Sequence, residues 1–261
     1  MVILRFCRFL HRYGRANGIR SDDEGAAVKR FIFALLTVAI GVIVVAGAVL
    51  IAQQRQAEPA VLAATVVGTA ETPQGTLPHA TLELSIYPQA SSDVPGPTSG
   101  VNAIVADTDQ DSWPFYWPST TLQLPAHTLV TMTVHQYDSA GAVYNPYFAT
   151  VQGTVDGTAE FNGTKKAGIK PADVAHTFMI HQYPEDGQPY FFLNVPMEGV
   201  AANAKNEANG YPKPVDVTFS FITGEPGEYV WNCEDPCGDS YVQFGGVMSE
   251  RGWMSGTVTV V

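Results

Sequence analysis

The sequence predicts an all-β domain placed behind a single transmembrane helix, on three observations. From about residue 80 onward, short stretches of alternating apolar and polar residues recur with turn residues between them, which is typical of β-strands. That region shows no convincing 3.6-residue apolar period, so amphipathic helices are not expected there. An uncharged run of 22 residues, 31–52, precedes it. A chain of 261 residues therefore has room for one globular domain and one anchor.

The uncharged run predicts a membrane helix over residues 29–53. At a rise of ~1.5 Å per residue it is long enough to cross a hydrocarbon core of ~30 Å. A cleaved signal peptide is the competing interpretation, because it also combines a basic start with an apolar run. The apolar part of a signal peptide is usually only ~7–15 residues long, which favours the membrane helix.

Charge divides the chain at this helix. The residues before the uncharged run carry seven of the 14 Lys and Arg residues and three acidic residues, a net charge of +4, which leaves −15 for the rest. The positive-inside rule then predicts a cytoplasmic N-terminus and an exported domain, in a single-pass protein of the bacterial cell membrane. The tail, residues 1–28, has arginines at helical spacing and is either an amphipathic helix on the inner leaflet or a flexible basic tail.

The region after the helix predicts a linker and then the domain. Residues 54–78 are polar, contain Ala, Thr and Pro, and are expected to form a stalk with one weakly strand-like piece at 64–67. Residues 79–261 form the domain. We predict a hairpin of residues 148–155 and 159–162, joined by Asp156–Gly157. The other predicted strands are 80–87, 121–125, 129–137, 174–183, 190–195, 215–223, 228–233 and 256–261, an antiparallel sandwich or barrel.

An aromatic segment, residues 113–118, interrupts this pattern. It combines four aromatic residues, Trp113 to Trp117, with prolines and follows an acidic stretch. Because proline donates no ladder hydrogen bond, the segment cannot be a central strand. It is predicted to be either a lid packed over an open end of the sandwich or a docking surface for a partner.

The candidate metal ligands of the domain are its two cysteines and one histidine. Cys233 and Cys237 lie four residues apart after a predicted strand, and His176 lies on a separate strand. Thiolates, thioethers and imidazole together suit copper. Two cysteines in an exported domain are equally compatible with a disulfide, in which case His176 is a buried, hydrogen-bonded imidazole. Cys7 falls on the cytoplasmic side, where a free thiol is ordinary.

These motifs resemble the cupredoxin superfamily and, within it, the periplasmic domain of cytochrome c oxidase subunit II. The likeness covers roughly residues 122–261 and is carried by Val174-Ala-His-Thr-Phe178 and Pro226-Gly-Glu-Tyr-Val-Trp-Asn-Cys-Glu-Asp-Pro-Cys-Gly238. It implies a Greek-key β-sandwich whose first copper ligand is His176. The resemblance further implies ligation by Cys233, by the backbone carbonyl of Asp235 and by Cys237.

The chain departs from the dinuclear CuA pattern after the second cysteine. Tyr241 stands where that pattern has its second histidine and Phe244 where it has its methionine, and no histidine follows His181. A dinuclear centre is therefore not expected. The remaining prediction is a mononuclear copper site of His176, Cys233, Cys237 and one methionine, Met248 or else Met254, or no metal at all.

Function follows as two alternatives. The net charge of −15 excludes nucleic acid as a partner of the exported part. The sequence contains neither a nucleophile paired with a base nor a phosphate-binding loop, so an independent enzymatic activity is not expected. We predict an accessory subunit of a membrane redox complex, of oxidase or copper monooxygenase type, that binds at most one copper ion for copper handling or electron transfer. Its partners are the lipid bilayer, an integral membrane complex and a redox protein. The alternative is a metal-free structural or docking subunit with a Cys233–Cys237 disulfide.

Overall fold

The computed structural model describes residues 21–55, 60–94, 96–97, 113–141, 143, 145–182, 190–237, 246–249 and 252–261. The chain divides into two units, Met1–Ala52 and Gln53–Val261. Helix α1, Ser21–Arg55, confirms the predicted apolar helix. Its segment Val28–Leu50 has a mean hydropathy of 2.8, which meets the length and composition of both a membrane anchor and a signal sequence. The basic tail, except for its last eight residues, lies outside the described residues.

The described residues of the second unit form thirteen strands in two sheets. The strands are β1 (Leu62–Ala63), β2 (Thr65–Thr72), β3 (Gly75–Tyr87), β4 (Phe115–Trp117), β5 (Thr121–Leu124), β6 (Leu129–Gln136), β7 (Ala159–Phe161), β8 (Thr164–Lys166), β9 (Val174–Gln182), β10 (Leu193–Glu198), β11 (Val215–Ile222), β12 (Gly227–Asn232) and β13 (Ser255–Val260). One sheet has the order β1-β5-β13-β12-β9-β10 and the other β2-β3-β6-β11-β7-β8, with β4 paired to β3.

The strand order confirms the predicted all-β sandwich of two sheets. Sequence neighbours repeatedly lie in opposite sheets, and three pairs are parallel: β1 with β5, β5 with β13, and β3 with β6. Alternate residues of each long strand point into one core between the sheets. The largest fully buried side chains there include Trp231, Tyr116, Tyr229, Phe178 and Phe221.

The predicted linker is wrong over its second half. Strands β2 and β3 pair antiparallel from Thr65 opposite Thr81 to Thr72 opposite Gly75, so residues 65–78 belong to a sheet. The side chains of β2, an edge strand, are mostly exposed on both faces. The alternation that reveals a half-buried strand is therefore missing from this stretch.

The predicted hairpin is displaced along the chain. Pro146–Ala149 is a 3₁₀ turn, and the hairpin is formed by β7 and β8. Its turn residues Asn162 and Gly163 have φ of 47° and 78°. Asn-Gly adopts these positive angles most readily in a two-residue hairpin turn, whereas Asp156 accepts hydrogen bonds from the backbone and side chain of Thr158 in a separate turn.

The aromatic segment is part of the core. Strand β4 pairs with β3, and its Tyr116 N–H donates to the carbonyl of Trp253 at 2.9 Å. Trp113, Phe115 and Tyr116 are all buried. Tyr116 packs edge-on against Trp231 with ring centroids 4.6 Å apart, and its hydroxyl donates to the carbonyl of Thr177 at 2.9 Å. These three rings are therefore packed inside the sandwich and do not form a docking surface.

The close approach of β13 to β5 gives a stability prediction. A Cβ on Gly256 would lie 1.9 Å from the carbonyl oxygen of Thr120, whereas a Cβ on Gly224 would meet nothing within 4 Å. Gly256→Ala should therefore destabilise the chain by at least the ~1–3 kcal/mol typical of overpacking. Gly224→Ala is the matched control and should stay close to wild type. Urea unfolding in detergent micelles, followed by tryptophan fluorescence, measures both, and equal midpoints would contradict the packing described.

Candidate metal centre

Three side chains from two neighbouring strands converge on one buried point. His176 lies on β9, Cys233 follows β12 directly, and β12 and β9 are paired. Cys237 Sγ lies 3.1 Å from His176 Nδ1, Cys233 Sγ lies 3.9 Å from the same nitrogen, and the two sulfurs are 3.4 Å apart. One ligand atom from each residue thus lies within 4.8 Å of the others. The three residues are at most 4% exposed.

The loop that carries the cysteines is tied to both neighbouring strands. The N–H of Cys233 donates to the carbonyl of Met254 at 2.9 Å. The N–H of Thr177 points at Cys233 Sγ, 3.3 Å away, and the Thr177 hydroxyl accepts from the N–H of Glu234 at 2.7 Å. Because these bonds fix the loop on β9, the sulfurs are held beside His176 before any ion binds.

The carbonyl oxygen of Asp235 lies beside the sulfurs. It is 3.0 Å from Cys237 Sγ and 3.5 Å from Cys233 Sγ. This is the position in which the resemblance to subunit II places a carbonyl ligand. The side chain of Asp235 is nearly buried, and a Cβ on Gly141 would lie 3.3 Å from its Oδ2. The turn that contains Gly141 therefore packs closely against this loop.

Asp138 completes the centre, and sequence reasoning missed it. Its Oδ2 lies 3.0 Å from His176 Nε2, the ring nitrogen that faces away from the sulfurs. In the sequence Asp138 opens a turn after a strand, where aspartate is common for local reasons. Nothing in that pattern connects it to a histidine 38 residues later. The pairing of β10 with β9, the bridge of Ser139 to Val200 and the hydrogen bond from Gly141 N–H to the Val174 carbonyl bring the two together.

Burial and mutual charge set the protonation of this group. Burial alone would lower the pKa of His176, but the Asp138 carboxylate and Cys233 raise it to about 10. Burial raises the pKa of Cys233, yet hydrogen bonds from Cys237 and His176 hold it well below its ordinary value. The Cys233 sulfur and burial together raise the pKa of Cys237. At neutral pH the metal-free centre is thus an imidazolium, one thiolate and one thiol.

The pKa shifts of Asp138 and Asp235, the two carboxyl groups near the centre, have opposite directions. Burial opposes ionisation of Asp138, but His176 lowers its pKa overall. Burial raises the pKa of Asp235 to about 6, with the Cys233 charge adding to the effect. The carboxylate that faces the imidazole is therefore the one that stays ionised to lower pH.

The disulfide alternative is wrong for this structure. Cys233 and Cys237 are free, and their 3.4 Å separation is far longer than the ~2.05 Å of an S–S bond. Each sulfur has other polar neighbours: Thr177 N–H at Cys233, and His176 Nδ1 with the Asp235 carbonyl at Cys237. These contacts keep the sulfurs near each other without a covalent bond.

The methionine candidates differ in their placement. Met254 lies opposite Cys233. Asn232 on β12 pairs with Ser255 on β13, so the residue after Asn232 faces the residue before Ser255. Its side chain is fully buried in the core. Met248 is partly buried and packs against the same core. Tyr241 and Phe244, which stand where a CuA loop has its last two ligands, lie outside the described residues.

A third methionine, which sequence reasoning did not consider, is fully buried and lies next to the histidine. Met197 is directly opposite His176 in the pairing of β10 with β9. Residues opposite each other in an antiparallel pair share one face of the sheet, so this side chain flanks the imidazole.

Comparisons with known proteins find remote similarity to solved structures alone. No protein-family model matches the chain, and no curated protein matches it. Among solved structures, auracyanin B, a cupredoxin, is similar at 14% sequence identity over 76% of this chain and 99% of that chain, with a TM-score of 0.31. A likeness this remote says nothing about ligands or partners. The resemblance to oxidase subunit II therefore stays a prediction from the sequence motifs.

The protonation of the centre predicts a thiolate at neutral pH. Metal-free wild type should show the ultraviolet absorbance of one thiolate at pH 7, and His176→Gln should lose it because the imidazolium no longer stabilises the charge. Cys7→Ser is the control and should not change the signal. Absence of thiolate absorbance at pH 7 in the reduced wild type would contradict the assignment.

The same shifts fix the sign of the pH dependence of stability. The contribution of His176 is complete below about pH 6.5 and is lost as pH rises through about 10, while that of Cys233 is complete above about pH 9 and is lost as pH falls. The two changes offset each other between these values, and stability should fall above pH 9, where the unfolded chain releases protons that the folded centre retains.

Proposed function

We propose that this chain is a membrane-anchored cupredoxin-like subunit that binds at most one copper ion through His176, Cys233 and Cys237. One observation carries the proposal: Nδ1 of His176 and the two sulfurs converge within 4.8 Å in a buried place. The ion would serve copper handling or electron transfer within a membrane redox complex of oxidase or copper monooxygenase type.

The donor set favours copper. Two sulfurs and one imidazole are soft to borderline ligands, which suit Cu(I), and the Irving–Williams order also places Cu(II) above the other divalent ions. Bound copper would supply a single-electron couple, or be the cargo that is handed on. The residues themselves hold the site in shape: Thr177 fixes the position of Cys233, Asp138 fixes the ring of His176, and the surrounding core excludes water.

The limit of one ion follows from the ligands available. Among the described residues, His176, Cys233 and Cys237 form the one group of histidine, cysteine and acidic side chains arranged to hold a metal ion. The sequence provides no histidine after His181 for a second ion in the same loop. The fourth donor is proposed to be a methionine, and Met254 is the better placed of the two candidates because it lies across from Cys233.

The place of action is proposed from the charges on either side of α1. The basic tail stays in the cytoplasm, and the acidic domain stands on the extracytoplasmic side. There the partners are an integral membrane complex and a redox protein, with the bilayer around the helix. No enzymatic activity of the isolated chain is proposed.

Copper binding is tested on the full chain in detergent micelles. Reduced protein titrated with Cu(I) against a chromophoric chelator should retain one copper per chain. Cys233→Ser and Cys237→Ser should each abolish tight binding, since each removes one of two thiolate donors. Cys7→Ser should bind as wild type and is the matched cysteine control.

Three results would contradict this proposal. Two copper ions per chain with a mixed-valence spectrum would indicate a dinuclear centre. Tight binding of zinc without Cu(I) would assign the same donors to another metal, because Cys and His also suit zinc. No retained metal in the fully reduced chain would leave only a structural or docking subunit.

Orientation gives a separate prediction. A phosphatase fused after Val261 should be active outside the cytoplasm, and a fluorescent protein fused before Met1 should fluoresce inside. Replacement of the five arginines before residue 21 by alanine should weaken or reverse this orientation. Replacement of the three acidic residues at 22–24 by alanine is the control and should change little. An inactive phosphatase in the wild-type fusion would contradict the assigned topology.

A further inference from the structure

We propose that Asp138 is a positioning residue that keeps a proton on Nε2 of His176 and thereby presents Nδ1 to the two cysteine sulfurs. The assignment rests on hydrogen-bond geometry around Asp138. Its consequence for copper rests on the function proposed above, whereas the proton assignment itself does not.

The two carboxylate oxygens of Asp138 have separate partners. Oδ1 accepts from the N–H of Ser139 at 2.7 Å, and Oδ2 lies 3.0 Å from His176 Nε2. An ionised carboxylate only accepts hydrogen bonds, so the nitrogen that faces it must carry hydrogen. In the metal-free imidazolium Nδ1 also carries hydrogen and points to Cys237 Sγ, at 3.1 Å; because Nε2 is held by Asp138, Nδ1 is the nitrogen whose proton a metal ion would replace.

The backbone of Asp138 is held by hydrogen bonds to Gln136 and Val200. The side chain of Gln136, which is fully buried, accepts from the N–H of Asp138 at 3.0 Å and donates to its carbonyl at 3.3 Å. The N–H of Val200 donates to the same carbonyl at 2.8 Å. A Cβ on Gly199 would lie 2.3 Å from the backbone nitrogen of Ala140, so that the turn is closely packed.

This arrangement is a carboxylate–histidine pair built around a candidate metal ligand. Such outer partners fix the tautomer and ring orientation of ligating histidines, and their loss typically costs ~10–100-fold in metal affinity. The carboxylate comes from the turn that follows β6, and not from the strand of His176. The chain offers a matched pair elsewhere: His135 Nδ1 lies 2.7 Å from Asp216 Oδ1 in a more exposed place.

The decisive variant is Asp138→Asn. Its side-chain oxygen keeps the bond from the N–H of Ser139, which turns the amide NH₂ towards His176 Nε2. Because two donors cannot face each other, Nε2 must lose its proton and Nδ1 must keep one. The substitution retains size and shape, so a change at the ring is not an effect of packing.

Proton positions are read from ¹H–¹⁵N correlation spectra of the imidazoles in the metal-free, full-length protein in micelles, with His176→Gln to identify the signals. At neutral pH wild type should show both Nε2 and Nδ1 protonated, and Asp138→Asn should show Nε2 unprotonated with the proton on Nδ1 retained. Asp216→Asn should leave the His176 signals unchanged. In the Cu(I) competition titration, Asp138→Asn should bind ~10–100-fold more weakly and Asp216→Asn as wild type.

The outcomes separate this inference from the proposed function. If Nε2 of His176 stays protonated in Asp138→Asn, the inference is overturned, whatever the copper affinity. If wild type binds no copper but the proton moves as expected, the positioning role stands and the copper function fails. Should Asp138→Asn not fold, Asp138→Ala replaces it, and a His176 ring that holds its proton solely on Nε2 overturns the inference.

Discussion

The structure depends on one buried chain of polar contacts, from Asp138 through His176 to Cys237 and Cys233. An imidazole and two sulfurs lie at most 4% exposed inside an otherwise apolar core. An uncompensated charge in such a place costs several kcal/mol, and removal of one partner of a buried pair typically costs ~3–5 kcal/mol. The centre is tolerated because each polar atom in it has a partner, and those partners connect three parts of the chain.

This requirement explains several features that lie away from the centre. The turn after β6 is held by Gln136 and Val200 because it must deliver a carboxylate to His176. Thr177 is buried on β9 although it is polar, and it fixes the cysteine loop through its N–H and its hydroxyl. Below the loop, Trp231 and Tyr116 fill the sandwich and keep the dielectric low. The chemistry of the site is thus set by the packing around it.

Sequence patterns predict the fold and the candidate ligands better than they predict the residues that surround those ligands. Alternating residues revealed β6, β11 and β12 because each has one buried face. Edge strand β2 escaped notice because its side chains are mostly exposed, and the hairpin was displaced because two Gly-containing turns competed. His176, Cys233 and Cys237 were found by residue type and spacing. Asp138 was not, since its partner is distant in sequence and its local pattern is that of an ordinary turn.

The central claim is that one nitrogen and two sulfurs form a single copper site. X-ray absorption at the copper edge of the Cu(I)-loaded, full-length protein tests it most directly, because this measurement identifies the ligand atoms and any neighbouring metal. The account predicts sulfur scatterers with one imidazole in the first coordination shell and no copper–copper distance. A shell of nitrogen and oxygen atoms alone, or a clear copper–copper distance, would contradict it.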